Sequence, residues 1–138
     1  MKLPVITLWQ PWAQWVMLGW KTIETRTHSR FASLEGKRIG IHVGQRWDSE
    51  AFTTAAPYLS TQRLLETRRN EEAWRKLAGL IVATADVQDH RLLLPYDSKA
   101  ALIECYTTRY GLVLENLRTT AIKAQGKQGL WYFDLETK

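Results

Sequence analysis

The sequence predicts an α+β fold: a small, mixed but largely antiparallel β-barrel flanked by helices at its ends. Two observations carry that expectation. Short runs rich in β-branched and aromatic residues recur at 3–8, 22–27, 36–43, 80–87, 119–124 and 129–135. Helical patterns fall between them in the order β-α-β-β-α-α-β-α-β-β, without the regular alternation of a doubly wound parallel sheet. A third observation sets the scale. At 138 residues, 45% of them hydrophobic and 24% charged, the chain is expected to form one globular domain with its own core.

Each element has a local reason. LPVITL, residues 3–8, alternates aliphatic and β-branched residues, and Pro4 is tolerated near a strand start. Pro11 suits a first helical position, Trp12, Trp15 and Val16 form an i, i+3, i+4 stripe, and Gly19 supplies the left-handed stop. A two-turn helix over 11–18 follows, with Lys21 in the turn that leaves it and a strand over 22–27. Residues 31–35 read as loop. In GKRIGIHV, Ile39, Ile41 and Val43 alternate with Arg38, Gly40 and His42, and Gly44 ends the strand. Asp48-Ser49-Glu50 open a helical segment that Pro57 closes.

Residues 60–78 give the longest helical pattern. Its arginines interleave with Glu66, Glu71 and Glu72, which predicts a solvated, salt-bridged helix. LIVATADV forms the next strand and ends near Val87. Asp97-Ser98 cap a helix running to about Tyr106, 119–124 is a weak strand, and GLWYFDL closes the sheet.

The balance of 19 basic against 14 acidic residues gives a formal charge of +5 and a pI near 9.5, which favours a polyanionic partner. The lone Cys105 can form no intrachain disulfide, and its apolar surroundings predict that it packs as a small hydrophobe. A reducing, cytoplasmic location is expected: Met1-Lys2 runs into Pro4 rather than a leader-like apolar segment, and no run is long enough to span a membrane.

Several chemistries are excluded. No glycine-rich phosphate loop, zinc-ligand spacing or G-x-S-x-G elbow occurs. Neither a metal nor a cofactor is expected. What remains is the segment LWQPWAQWVMLGWKTIETR, 8–26, which holds four of the seven tryptophans around Lys21, Glu24 and Arg26. In an extended strand Glu24 and Arg26 share a face, and the helix exit can turn Lys21 toward them. Indoles that exclude water would strengthen the ion pair and lower the lysine pKa. His42 can point into the same cleft, while Lys37, Arg38 and Arg46 can follow a phosphate backbone. Trp131 reads as core.

These motifs resemble the ASCH domain, the homology domain of activating signal cointegrator proteins. The likeness rests on Gln10-Pro11-Trp12-Ala13, on Gly19, Lys21, Glu24 and Arg26, and on the strand from Gly36 to the Ile-His pair at His42. GLIVATADVQD and GKQGLWYFDL resemble later family strands. Nearly the whole chain is covered, with 47–78 reading as a helical insertion in a single domain, 1–138.

The resemblance implies a PUA-like barrel and a cleft that binds RNA, single-stranded nucleic acid or a modified nucleoside through Gln10, Trp12, Trp20, Lys21, Glu24, Arg26, Lys37, Arg38, His42 and Arg46. A protein partner is the lesser expectation. Small members of the family hydrolyse N4-acetylcytidine with a lysine and a threonine in a G-x-K-x-x-T turn, and ribonuclease activity is attributed to others. Lys21 matches the lysine. Glu24 stands at the threonine position, and a carboxylate cannot act as the same hydroxyl nucleophile. If the chain is an enzyme, Lys21 and Glu24 are its expected catalytic pair.

Overall fold

A six-stranded sheet organises the chain, and its strand order explains where a cleft can form. The computed structural model describes residues 1–105 and 109–135. Strands β1 (Lys2–Gln10), β2 (Ile23–Arg26), β3 (Arg38–Trp47), β4 (Leu80–Leu92), β5 (Tyr110–Lys123) and β6 (Gly129–Asp134) lie in the order β2-β5-β4-β3-β1-β6. Only β1 and β3 run parallel; every other pairing is antiparallel. Helices α1 (Trp12–Met17), α2 (Ala51–Ala55), α3 (Thr61–Arg69), α4 (Glu71–Arg75) and α5 (Ser98–Ala101) follow the order read from the sequence, except that three helices rather than two lie between β3 and β4. Among the described residues, no helix is long and apolar enough to cross a membrane.

The expected barrel is not closed. Among the described residues, strand β2 pairs with β5 alone and β6 with β1 alone, so both stand at the edges of the sheet. Closure would bring backbones to within about 5 Å of each other. The side chains of Trp9, Lys21, Glu24 and Arg26 occupy the space on the β2 side instead, and a cavity lies among them.

Both faces of the central strands are covered. On β1, Ile6 and Leu8 join Ile39, Ile41, Val43, Ala13 and Val16 in the main core, while Leu3 and Val5 pack with Ile81 and Trp131 on the opposite face. That is why β1 is a nearly continuous apolar run. Trp131 is buried, as read. Gly40 needs its missing side chain: a Cβ there would lie 3.1 to 3.2 Å from Leu3, Ile81 and Val5.

Several elements differ from the sequence reading: β3 runs through Gly44, its expected end, to Trp47. Strand β4 continues to Leu92 and β5 begins at Tyr110, because the two pair along almost their whole length, from Leu80 with Lys123 to Leu92 with Tyr110. The helix expected to reach Tyr106 ends after Ala101, where Leu102 turns left-handed at φ 58°; Tyr106 itself lies outside the described residues. The long helix over 60–78 is two, broken at Asn70, whose Nδ2 donates to the Glu66 carbonyl at 2.7 Å. An asparagine side chain that competes with the backbone in this way interrupts a helix.

Candidate functional site

The chain delivers its charged cluster through the exit of α1. Gly19 is left-handed at φ 79°, and the amides of Trp20 and Lys21 both donate to the Trp15 carbonyl, at 2.9 and 3.0 Å. This tight wrap turns Lys21 inward. Its Nζ donates to the carbonyl of Ala101, a C-terminal helical carbonyl with no partner inside α5. The ammonium also lies 3.9 Å from Glu24 Oε1 and 5.0 Å from the centre of the Trp12 ring. The other Glu24 oxygen accepts from Arg26 Nη1, which also donates to the Thr25 carbonyl at 2.9 Å.

Lys21 and Glu24 are buried, and Arg26 is partly exposed. Burial lowers the Lys21 pKa to about 8, against the opposing pull of Glu24. A group so placed can change protonation near neutral pH.

These residues line a cavity of about 330 Å³, at the lower end of ligand-pocket volumes. Trp9 and Trp12 form its aromatic part, and Thr25, Asp48, Thr54 and Gln128 add polar groups. Asp48 fixes the Trp12 ring by accepting from its Nε1 at 2.8 Å. Arg46 lies over Trp9 at 4.5 Å, which puts a guanidinium beside the cavity wall. Two cations, Lys21 and Arg26, face two carboxylates, Glu24 and Asp48. Among the described residues, no cluster of three or more histidine, cysteine or acidic side chains could hold a metal ion.

The structure brings Trp12, Lys21, Glu24 and Arg26 into one cavity, sets Arg46 beside its wall on Trp9 and distributes the other sequence candidates elsewhere. Gln10 is a buried clasp: its Oε1 accepts from the Gln14 amide at 2.8 Å, and its Nε2 donates to the Trp74 carbonyl at 3.1 Å. Trp20 packs edge-on to Trp74 beneath Arg63, within the helical layer. His42 is held by Thr7 and the Ala124 carbonyl, both at 3.0 Å, and lines a neighbouring cavity. Arg38 is tied to Asp86 at 2.9 Å and to Thr84. It and Lys37 stand at the start of β3, about 25 Å along the strand from Arg46. Arg38 therefore belongs to a different surface.

The expected salt-bridged helical face forms one ion pair in α4, Glu71 with Arg75 at 2.7 Å. Arg63 and Arg68 instead lie over Trp20 and Phe52. Cys105 is buried with Ile23, Leu93 and Ala101, and burial pushes its thiol pKa up. Asp48, Thr54 and Gln128 were missed as cavity residues, and Trp9 was read only as one of the four indoles around the charged cluster. A signal existed for Trp9, which sits three residues before Trp12. Asp48 read only as a helix opener, and Gln128 carries no pattern at all.

The open mixed sheet with its flanking helices is an α+β fold that solved structures also contain. No protein-family model matches the chain, and no curated protein does. The chain is similar to the crystal structure of ASCH from Zymomonas mobilis, with a TM-score of 0.60 at 14% identity, covering 96% of this chain and 88% of that one. It is similar to a tyrosine-to-phenylalanine variant of that protein, with a TM-score of 0.57 at 14% identity over 99% and 93% of the two chains. A serine-to-alanine variant gives 0.54 at 14% identity over 96% and 89%. The chain has an ASCH-like fold.

Proposed function

We propose that the cleft binds a nucleobase of single-stranded RNA or a free nucleoside. The observation that carries this reading is the meeting, in one cavity, of two indoles with the buried Lys21–Glu24–Arg26 network. A base stacked on an indole gains roughly 1–3 kcal/mol. Glu24 and Asp48 are acceptors for an exocyclic amine, and Lys21 and Arg26 are donors for a base oxygen or a phosphate. Arg46, stacked on Trp9, adds a cation beside the same wall. The net charge of +5 favours approach of a polyanion.

A fluorescence titration with mixed-sequence ribo-oligonucleotides at low and high salt tests the reading. Binding that weakens with salt is expected, with affinity at least tenfold lower in Trp9→Ala and unchanged in Arg38→Ala. Undetectable binding at low salt, or equal losses in the two variants, would remove it.

A second reading, hydrolysis of an acylated nucleoside, is supported by the lowered Lys21 pKa beside a buried carboxylate. Glu24 would take a proton from water while Lys21 steadies the oxyanion. Yet both Glu24 oxygens already face cations, which leaves neither free to meet a water. Binding is therefore the preferred reading. Release of cytidine from N4-acetylcytidine by the wild type but not by Lys21→Ala would reverse that preference.

A further inference from the structure

A second cavity, of about 380 Å³, adjoins the first, and Thr7 and Gln128 line both. Its chemistry is different. Among the described residues Lys127 is the one lysine, arginine or acidic side chain that lines it, and the amides of Gln45, Gln125 and Gln128 supply further donors and acceptors. Among the described residues, no tryptophan, tyrosine or phenylalanine lines it. The side chains of Gln45, Gln125, Lys127 and Gln128 have no hydrogen-bond or ionic partner among the described residues. The first cavity is aromatic and balanced in charge; the second is amide-rich and positive.

The loop between them is fixed from behind. Trp131 Nε1 donates to Thr7 Oγ1 at 2.8 Å. The Thr7 hydroxyl in turn reaches His42 Nδ1 at 3.0 Å, and His42 Nε2 lies 3.0 Å from the Ala124 carbonyl. A carbonyl only accepts, so Nε2 carries a proton, and in the neutral ring Nδ1 accepts from the Thr7 hydroxyl. The Ala124 amide also donates to the Gly79 carbonyl at 3.0 Å. Gly126 lies so close to Trp131 that a Cβ would stand 2.3 Å from the ring. These contacts hold residues 124–128 in place while Lys127 and Gln128 stay exposed. A loop ordered before binding loses less entropy when a ligand arrives.

We infer that this second cavity is a subsite for the phosphodiester and ribose that follow the base held in the first. Lys127 meets the phosphate charge, the glutamine amides meet the ribose hydroxyls, and Gln128 spans the junction. The preferred ligand is then a segment of at least two nucleotides rather than a single nucleoside. His42 and Thr7 hold the loop from behind through the Ala124 carbonyl and Trp131.

This inference rests on the base-binding reading of the first cavity, and the experiment separates the two. Calorimetry compares the four ribonucleosides with their dinucleoside monophosphates on the wild type, Lys127→Glu and Gln45→Ala. For whichever base binds, the dinucleoside monophosphate is expected to bind at least tenfold tighter than the nucleoside. Lys127→Glu should abolish that gain and Gln45→Ala reduce it, while nucleoside affinity stays within twofold. Both side chains are exposed, so neither change threatens the fold. Equal affinity for the two ligand sizes, or a gain that survives Lys127→Glu, overturns the subsite and leaves the base cavity standing. Absence of binding by every nucleoside and dinucleoside monophosphate overturns the base cavity and the subsite together.

Discussion

Two arginine–carboxylate clusters of this molecule differ in almost everything except composition. One joins Arg26 to Glu24 and Lys21 at the β2 edge; the other joins Arg38 to Asp86 and Asn116 on β3, β4 and β5. Each lines a cavity of a few hundred cubic ångströms. The Arg38 cluster is open to water, with 29% of the Arg38 side chain and 39% of the Asp86 side chain exposed. Hydrogen bonds from Asn116 and Arg38 hold the Asp86 carboxyl below its usual range, and solvent screens the rest. The Glu24 side chain is only 7% exposed and lies in a cavity walled by indoles. Charge placement alone does not mark a site. Burial beside aromatic rings distinguishes the first cluster, because there each charge depends on its partner and an incoming ligand can replace water at little cost.

The comparison is sharpened most by removing Glu24. Glu24→Gln leaves a buried ammonium without its carboxylate, and breaking a buried pair costs about 3 kcal/mol. Urea denaturation should register that loss, and base binding should fall at least tenfold. Stability equal to the wild type would place the Glu24 cluster in the same class as Arg38.

The Lys21 titration gives two slopes of opposite sign. Its folded pKa of about 8 lies below the ordinary lysine value of 10.5. Between those values the unfolded chain holds a proton that the folded chain lacks, so stability should rise with pH across that window. Ligand affinity should fall as pH passes 8 if the ammonium contacts the ligand. Lys21→Met should flatten both slopes. Persistence of either slope in that variant would assign it to another group.

The smallest effect belongs to the exposed cluster. Asp86→Asn should shift the melting temperature slightly and leave ligand affinity unchanged, measured by calorimetric scanning and titration. A large loss of affinity would mean that the nucleic acid uses the wrong face for the present account.

Local patterns made much of the fold legible. Gly19 stops α1 as expected, and Ile39, Ile41 and Val43 face the core by strand alternation. Pro11 immediately precedes α1 rather than opening it. Strand β5 was hidden because YGLVLENL has no clean period of two; pairing with β4 decides its conformation. The open sheet was hidden for a similar reason, since strand count does not reveal whether edges meet.

Within the site, Lys21, Glu24 and Arg26 were legible because they lie within six residues of one another beside tryptophans. Asp48, Thr54 and Gln128 were not, because only tertiary packing brings them to the cavity. Arg38 misled the reading: a basic residue near a motif gives no sign of which end of a strand the cleft occupies.

The most direct test observes the Trp12 indole N–H, bonded to Asp48 at the cavity wall. In nitrogen-15 spectra recorded during titration with a single-stranded ribo-oligonucleotide, the Trp12 signal, assigned with Trp12→Phe, should move. The Trp15 signal, locked onto Thr67 in the core, should stay still. A stationary Trp12 signal, with shifts at Arg38, Asp86 and Asn116 instead, would contradict the account.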